Sequence, residues 1–186
     1  AGTDHRLGGN EAPPAIVSIF LGDDIERILD AIVNKADFSP DGGGYMDVGA
    51  SAIPKFRRDA TDRNRTSPFA FTGNKFEFRM PGSSFSIAEP NIVLNTIVAD
   101  ALADFADELE RAESFDYAVM HLVRRTIREH RRIVFNGNNY TDEWVEEAGR
   151  RGLLNLTNAV DALARLADAP NEALFARHGV YNGAEL

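Results

Sequence analysis

Cationic side chains crowd one segment of an otherwise acidic chain. Between residues 55 and 79 stand Lys55, Arg57, Arg58, Arg63, Arg65, Lys75 and Arg79, against Asp59, Asp62 and Glu77. Arginine presents a rigid fork of donors that matches carboxylate and phosphate oxygens two at a time, so converging arginines form a natural oxyanion clamp. Within the segment, Lys75 to Met80 (KFEFRM) alternates strictly between charged and apolar residues, the period of a half-buried strand. That period puts Lys75, Glu77 and Arg79 on one face and turns Phe76 and Phe78 toward the core. If the charged face meets solvent, it is a ladder of surface charges worth little energetically. If it meets a cleft, Glu77 can ligate a hard cation such as Mg2+ or Mn2+ while its neighbours hold an anionic substrate, the arrangement that phosphoryl transfer requires.

A second chemical stretch is His5 to Pro14 (HRLGGNEAPP), where Arg6 and Glu11 flank Gly8-Gly9. A loop of this kind can close over a site and carry a general base in Glu11, or it can be an ordinary surface turn. The chain opens AGTDHRLGGN without an initiator Met, which gives the expectation of a processed or excised polypeptide.

These residues need elements to position them. Ala15 to Leu21 (AIVSIFL), after Pro13-Pro14, reads as a strand that Gly22 ends. Asp23 and Asp24 are expected to cap a helix to about Lys35, with Ile25, Ile28, Leu29 and Ile32 at helical spacing. Ser39 to Gly44 (SPDGGG) reads as a loop. Pro90 suits a first helical turn, and Leu94, Ile97, Val98, Ala101, Leu102, Phe105 and Leu109 form a sustained apolar face. Ser114 is expected to cap a second long helix to about Arg132, with Tyr117, Met120, Val123 and Ile127 inward. Its Arg124, Arg125, Arg128, Arg131 and Arg132 are read as a solvated stripe, with a subunit contact as the alternative. Thr141, followed by Asp142 and Glu143, caps a further helix that Gly152 closes, with Trp144 as its packing residue. Two shorter helices are expected over about 158–167 and 171–178. His121 and His130 lack carboxylates at ligand spacing and read as surface or interface residues; His178 is expected to meet helix-terminal carbonyls.

Composition excludes several classes. With 186 residues, 44% of them hydrophobic, the chain can bury one core. No apolar run reaches the roughly 20 residues of a bilayer span, and no signal-peptide pattern is present, so a soluble protein with no membrane partner is expected. Cysteine is absent, which removes disulfides, thiolate metal sites and cysteine nucleophiles and fits a cytoplasmic setting. The net charge of −9 opposes a nucleic-acid surface.

The stretch from Asp62 to Arg79 (DRNRTSPFAFTGNKFEFR), preceded by HRLGGNEAPPA, resembles type III glutamine synthetases, and so does Phe135 to Leu154 (FNGNNYTDEWVEEAGRRGLL). The likeness covers essentially the whole chain. It implies an ATP-dependent ligase that phosphorylates the L-glutamate side chain and then displaces phosphate with ammonia, using Mg2+ or Mn2+. By motif, Glu77 resembles the glutamate that ligates the metal on the nucleotide side. Arg79 resembles the arginine that contacts glutamate and the transferring phosphoryl group, and Arg65 the one that stabilises the acyl-phosphate step. Lys75 stands where more familiar family members have an arginine near the ATP phosphates. Arg6 resembles the residue that holds the substrate α-carboxylate, and Glu11 the flap glutamate that takes a proton from ammonium. The sequence departs from the family's pattern twice. The interval from Arg6 to Glu11 is one residue shorter than in type I enzymes, and Ala70 occupies a place where an ATP-contacting arginine is expected, with Arg63 the nearby candidate to compensate.

The resemblance further implies that the metal-binding carboxylates and histidine of the family lie upstream of Arg6, so the isolated segment is expected to be inactive. Active sites form between neighbouring subunits, so the parent is expected to be a homo-oligomer of stacked rings. A related glutamate–amine ligase and a non-catalytic assembly module remain as alternatives. The expected fold is α+β, with an incomplete antiparallel sheet of the catalytic domain over 1–112 and a helical C-terminal region packed on it over 113–186.

Overall fold

The computed structural model describes residues 14–36, 45–46, 56–57, 67–80 and 86–186, with the backbone alone at 45–46 and 56–57. The architecture is α+β and mostly helical. A three-stranded sheet holds β1 (Ile19–Phe20), β4 (Phe69–Phe71) and β5 (Phe76–Phe78) in the order β1-β4-β5. A separate ribbon pairs β2 (Tyr45–Met46) with β3 (Phe56–Arg57). Pairing is antiparallel in that ribbon and across β4–β5, and parallel across β1–β4, where Ile19 faces Phe69 and Phe20 faces Ala70. On the open side of β1, Val134 forms a parallel bridge with Ile19, and the Phe135 N–H donates to the Ile19 carbonyl at 2.9 Å. The expected loop over 39–44 lies outside the described residues.

Helix α1 (Asp23–Asn34) begins after Gly22, whose φ of 82° lies in the region that favours glycine. Asp23 and Asp24 do not cap it, contrary to expectation: Gly22 holds the cap position, and the two carboxylates sit in the first turn, where they complement the helix dipole. Its last turn has no basic residue, and Lys35 follows as the left-handed cap. Instead Arg124 Nε donates to the Ile32 carbonyl at 2.8 Å and Arg128 Nη2 to the Val33 carbonyl at 3.1 Å. Both donors come from α3 (Phe115–His130), and Arg131, just beyond that helix, bridges Glu26 at 2.6 Å and Asp30 at 3.1 Å. Arg125 forks onto Glu108 of α2 (Ala88–Glu110) at 2.6 and 3.1 Å. The arginines of α3 are therefore ties between helices rather than a solvated stripe, because α1 and α2 bring carbonyls and carboxylates to the face from which they project.

Two apolar expectations fail for a shared reason. Ile97, Val98 and Leu102 of α2 are exposed, as are Tyr117 and Met120 of α3. The buried residues of these helices are Thr96 and Leu122. Among the described residues other helices reach only part of α2, so only part of its apolar face is closed.

The core with the largest buried side chain forms around α4 (Asp142–Arg150). Trp144, Ile16 and Ala148 are fully buried, joined by Phe135 and Leu153, and the Phe135 and Trp144 rings stack at 3.7 Å and 8°. Thr141 Oγ1 accepts from the Trp144 N–H at 3.3 Å, as expected of the cap. At the other end Gly152, with φ 69°, donates to the Gly149 carbonyl at 3.0 Å and Leu153 to the Ala148 carbonyl at 2.9 Å, the reciprocal pair that closes a helix through a left-handed residue. Asn158 caps α5 (Ala159–Ala164), and α6 (Ala169–Arg177) follows. His178 does not meet helix carbonyls: its Nε2 lies 2.9 Å from Asp100 Oδ1 of α2, beside Arg177, which reaches Asp100 at 2.9 Å and Asp104 at 2.8 Å.

Candidate functional site

Strand β5 carries the charged ladder. It pairs with β4 so that Phe69 faces Phe78, Ala70 faces Glu77 and Phe71 faces Phe76. The hairpin closes tightly: the Thr72 N–H donates to the Lys75 carbonyl at 2.8 Å, and Gly73 takes a φ of 96° that favours glycine. Past the strand the Arg79 N–H donates to the Pro68 carbonyl at 2.7 Å, which holds the Arg79 backbone against the sheet.

On this frame Lys75, Glu77 and Arg79 share a face, as the alternation requires. Glu77 Oε1 lies 3.7 Å from Lys75 Nζ, and Glu77 Oε2 lies 3.2 Å from Arg79 Nη2 and 3.4 Å from Arg79 Nε. The three differ in access. The Lys75 side chain is 66% exposed, Glu77 41% and Arg79 11%. A buried guanidinium thus orients a half-exposed carboxylate, while the lysine remains free to reach an anion in solvent. Charges at this depth attract anions more strongly than they would in bulk water. Ala70, opposite Glu77, is fully buried.

The other face departs from expectation. Phe78 packs on Ala15 and Met80, but Phe76 is 49% exposed and lies against Phe69 and Phe71 at 5.2 and 5.3 Å. Phe76 is next to the hairpin turn, beyond the reach of that core. The predicted Arg6, Glu11, Arg63 and Arg65 lie outside the described residues. Among the described residues no three His, Asp or Glu side chains converge in a metal-binding group; Glu77 stands as a single hard oxygen donor.

Sequence reasoning missed the residues that hold this sheet in place. Asn136 Oδ1 accepts from the Leu21 and Gly22 N–H groups, each at 3.0 Å, and its Nδ2 donates to Glu26. Asn139 is buried between Ser18, to whose Oγ it donates at 3.0 Å, and Ser67, whose Oγ donates to it at 3.3 Å. Buried amides demand such partners, and here they tie the chain ahead of β1 and β4 to the loop before α4. The signal was the asparagine-rich FNGNNY at 135–140, which carried the family likeness without a stated role. His121 stacks on Tyr117 at 6.4 Å, and His121 and His130 are exposed, in keeping with the surface role expected of them. Among the described residues no helix is long and apolar enough to cross a membrane.

A family model described as "Glutamine synthetase C-terminal domain" matches residues 118–186. Over its whole length the chain is 45% identical to the type-3 glutamine synthetase of Dictyostelium discoideum and 42% identical to the glutamine synthetases of Bacteroides fragilis (strain YCH46) and Butyrivibrio fibrisolvens. It spans about a quarter of each relative, 26%, 26% and 27% respectively. Residues 118–186 thus match the glutamine synthetase C-terminal domain, and the whole chain, with its charged β5 strand and FNGNNY staple, is similar from end to end to a segment of glutamine synthetases.

Proposed function

We propose that the parent polypeptide is a glutamate–ammonia ligase and that this segment supplies part of its phosphoryl-transfer apparatus. The observation that carries the reading is Glu77 held on one strand face between Lys75 at 3.7 Å and Arg79 at 3.2 Å. In the first step an oxygen of the glutamate side-chain carboxylate attacks the γ-phosphorus of ATP and ADP leaves. In the second, ammonia attacks the γ-carbon of the acyl phosphate and inorganic phosphate leaves. A divalent cation, Mg2+ or Mn2+, supplies charge neutralisation of the phosphates when bound. Glu77 would give it one oxygen, with the other ligands contributed from outside the described residues.

Around the transferring group, Arg79 steadies the substrate and the growing charge, and Lys75 meets the ATP phosphates as a point charge rather than a fork. Arg65 is assigned to the acyl-phosphate step and Arg63 to the ATP phosphates. Arg6 holds the α-carboxylate, and Glu11 takes the ammonium proton. We further assign residues 1–112 to the C-terminal part of the catalytic domain and 113–186 to a helical region packed on it, in a cytoplasmic homo-oligomer of stacked rings.

The test is a γ-glutamyl hydroxamate assay with ATP and Mn2+ on the full-length parent, with folding followed by circular dichroism. Wild type is expected to be active, and Glu77→Ala and Arg79→Ala each to lose roughly 10²–10³-fold in kcat, the cost typical of removing one preorganised electrostatic group. Full activity in both variants would end this assignment. Wild-type inactivity with ammonia and hydroxylamine, but turnover with another amine, would make the parent a different glutamate–amine ligase.

A further inference from the structure

We propose that a recess between the end of α1 and the facing side of α3 is a binding site for the phosphate group of a small metabolite, separate from the β5 ladder. The recess encloses about 270 Å³ and is lined by Lys35, Tyr117, Met120, His121, Arg124 and Arg128. Its α3 residues follow the spacing i, i+3, i+4, i+7, i+11, which lays them along one stripe of the helix. Lys35 faces that stripe from the left-handed residue that ends α1, at φ 53° and ψ 36°.

Three observations point to an anion. First, among the described residues no carboxylate lines the recess, in a chain with 29 acidic residues against 20 Lys and Arg. Second, most described arginines reach a carboxylate, as Arg125, Arg131, Arg151 and Arg177 do. Lys35, Arg124 and Arg128 reach none among the described residues, and they meet at this one place. Third, the helix end they surround cannot balance them: its carbonyls amount to about half a negative charge, against three formal positive charges. Arg124 and Arg128 each spend one donor on that end, at Ile32 and Val33. Those bonds fix the guanidinium planes and leave further N–H groups for a ligand, which is how an oxyanion site is preorganised.

The remaining lining sets the size and the second contact. Tyr117 and His121 stack at 6.4 Å and 24°, and Tyr117 is 73% exposed, a flat surface on which a planar ring can lie. The space suits a phosphate alone or a phosphate with one small ring system, so inorganic phosphate and a nucleoside monophosphate are the two sources to separate.

The experiment is equilibrium dialysis of the full-length parent against labelled inorganic phosphate and, separately, AMP, with a non-hydrolysable ATP analogue saturating the nucleotide site. One bound anion per subunit is expected beyond the analogue. Lys35→Gln, which removes charge from an exposed side chain, is expected to weaken it at least tenfold, and Arg128→Gln likewise, with hydroxamate activity in the absence of the added ligand unchanged. If AMP binds more tightly than phosphate and Tyr117→Ala erases the difference, the ligand carries a ring; equal affinities with no effect of Tyr117→Ala identify free phosphate. Absence of a second bound anion, or binding indifferent to Lys35→Gln and Arg128→Gln, overturns the proposal. Because the analogue blocks the nucleotide site, failure here leaves the ligase assignment standing.

Discussion

At the scale of single residues, three positions carry more than their neighbours. Trp144 fills the largest buried side-chain volume, stacked on Phe135 and under the Arg151 guanidinium at 5.4 Å. Its truncation to alanine in the full-length parent is expected to cost about 3–5 kcal/mol, read as a fall in the denaturation midpoint of the transition that includes this segment. Gly152 takes a left-handed φ of 69°, and an added Cβ would meet nothing closer than Arg132 Nη1 at 3.6 Å. Gly152→Ala therefore tests backbone strain with little steric conflict, and a loss of about 1 kcal/mol in the same measurement is expected. Glu147 is held below its ordinary value of 4.5, first by the hydrogen bond from Arg151 and then by that from Arg150. A lowered folded-state value means that its contribution is present above the unfolded value and is lost as pH falls through the folded one. Wild type and Glu147→Gln should differ in thermal stability at neutral pH and converge below that folded value; a difference that persists in acid would contradict this.

At the scale of elements, the helices are joined by charge as much as by apolar packing. Arg131 links α3 to Glu26 and Asp30 of α1, and Asn136 reaches the same Glu26. Removing the guanidinium leaves a partly buried carboxylate with one partner fewer. Arg131→Ala is expected to cost about 1–3 kcal/mol and to speed amide exchange in α1 before it does so in α4. Equal acceleration in both helices would mean that the ties do not define a local unit. The β4–β5 hairpin depends on other forces: a tight turn, cross-strand phenylalanines and the Arg79 N–H bond to Pro68.

At the scale of the whole molecule, a segment of about a quarter of its relatives' length leaves large apolar side chains exposed among the described residues. Ile97, Val98 and Leu102 of α2, Phe115 of α3 and Val160 and Leu163 of α5 are all exposed. Exposed apolar side chains of this kind bind the dye ANS. The 186-residue chain made alone is expected to enhance ANS fluorescence well beyond the full-length parent at equal molarity, and equal signals would show that these side chains remain exposed in the parent.

What the sequence determined by itself was local. Alternation placed Lys75, Glu77 and Arg79 on one face because a strand's side chains have a period of two whatever lies around it. Thr141 and Gly152 bounded α4 because capping depends on the backbone within a few residues. Family likeness suggested the proposed chemistry, and four of its residues, Arg6, Glu11, Arg63 and Arg65, lie outside the described residues. The tertiary structure decided which apolar and charged faces met a partner. Helical spacing lines up Leu94 to Leu109 on α2, but burial requires a second surface, and Ile97, Val98 and Leu102 stay largely exposed. The arginines of α3 look solvent-bound along their own helix, and only the arrival of α1 and α2 supplies the carbonyls and carboxylates that hold them. His178 and Asp100 are 78 residues apart, so their contact is set by how α6 docks on α2 rather than by anything near either residue.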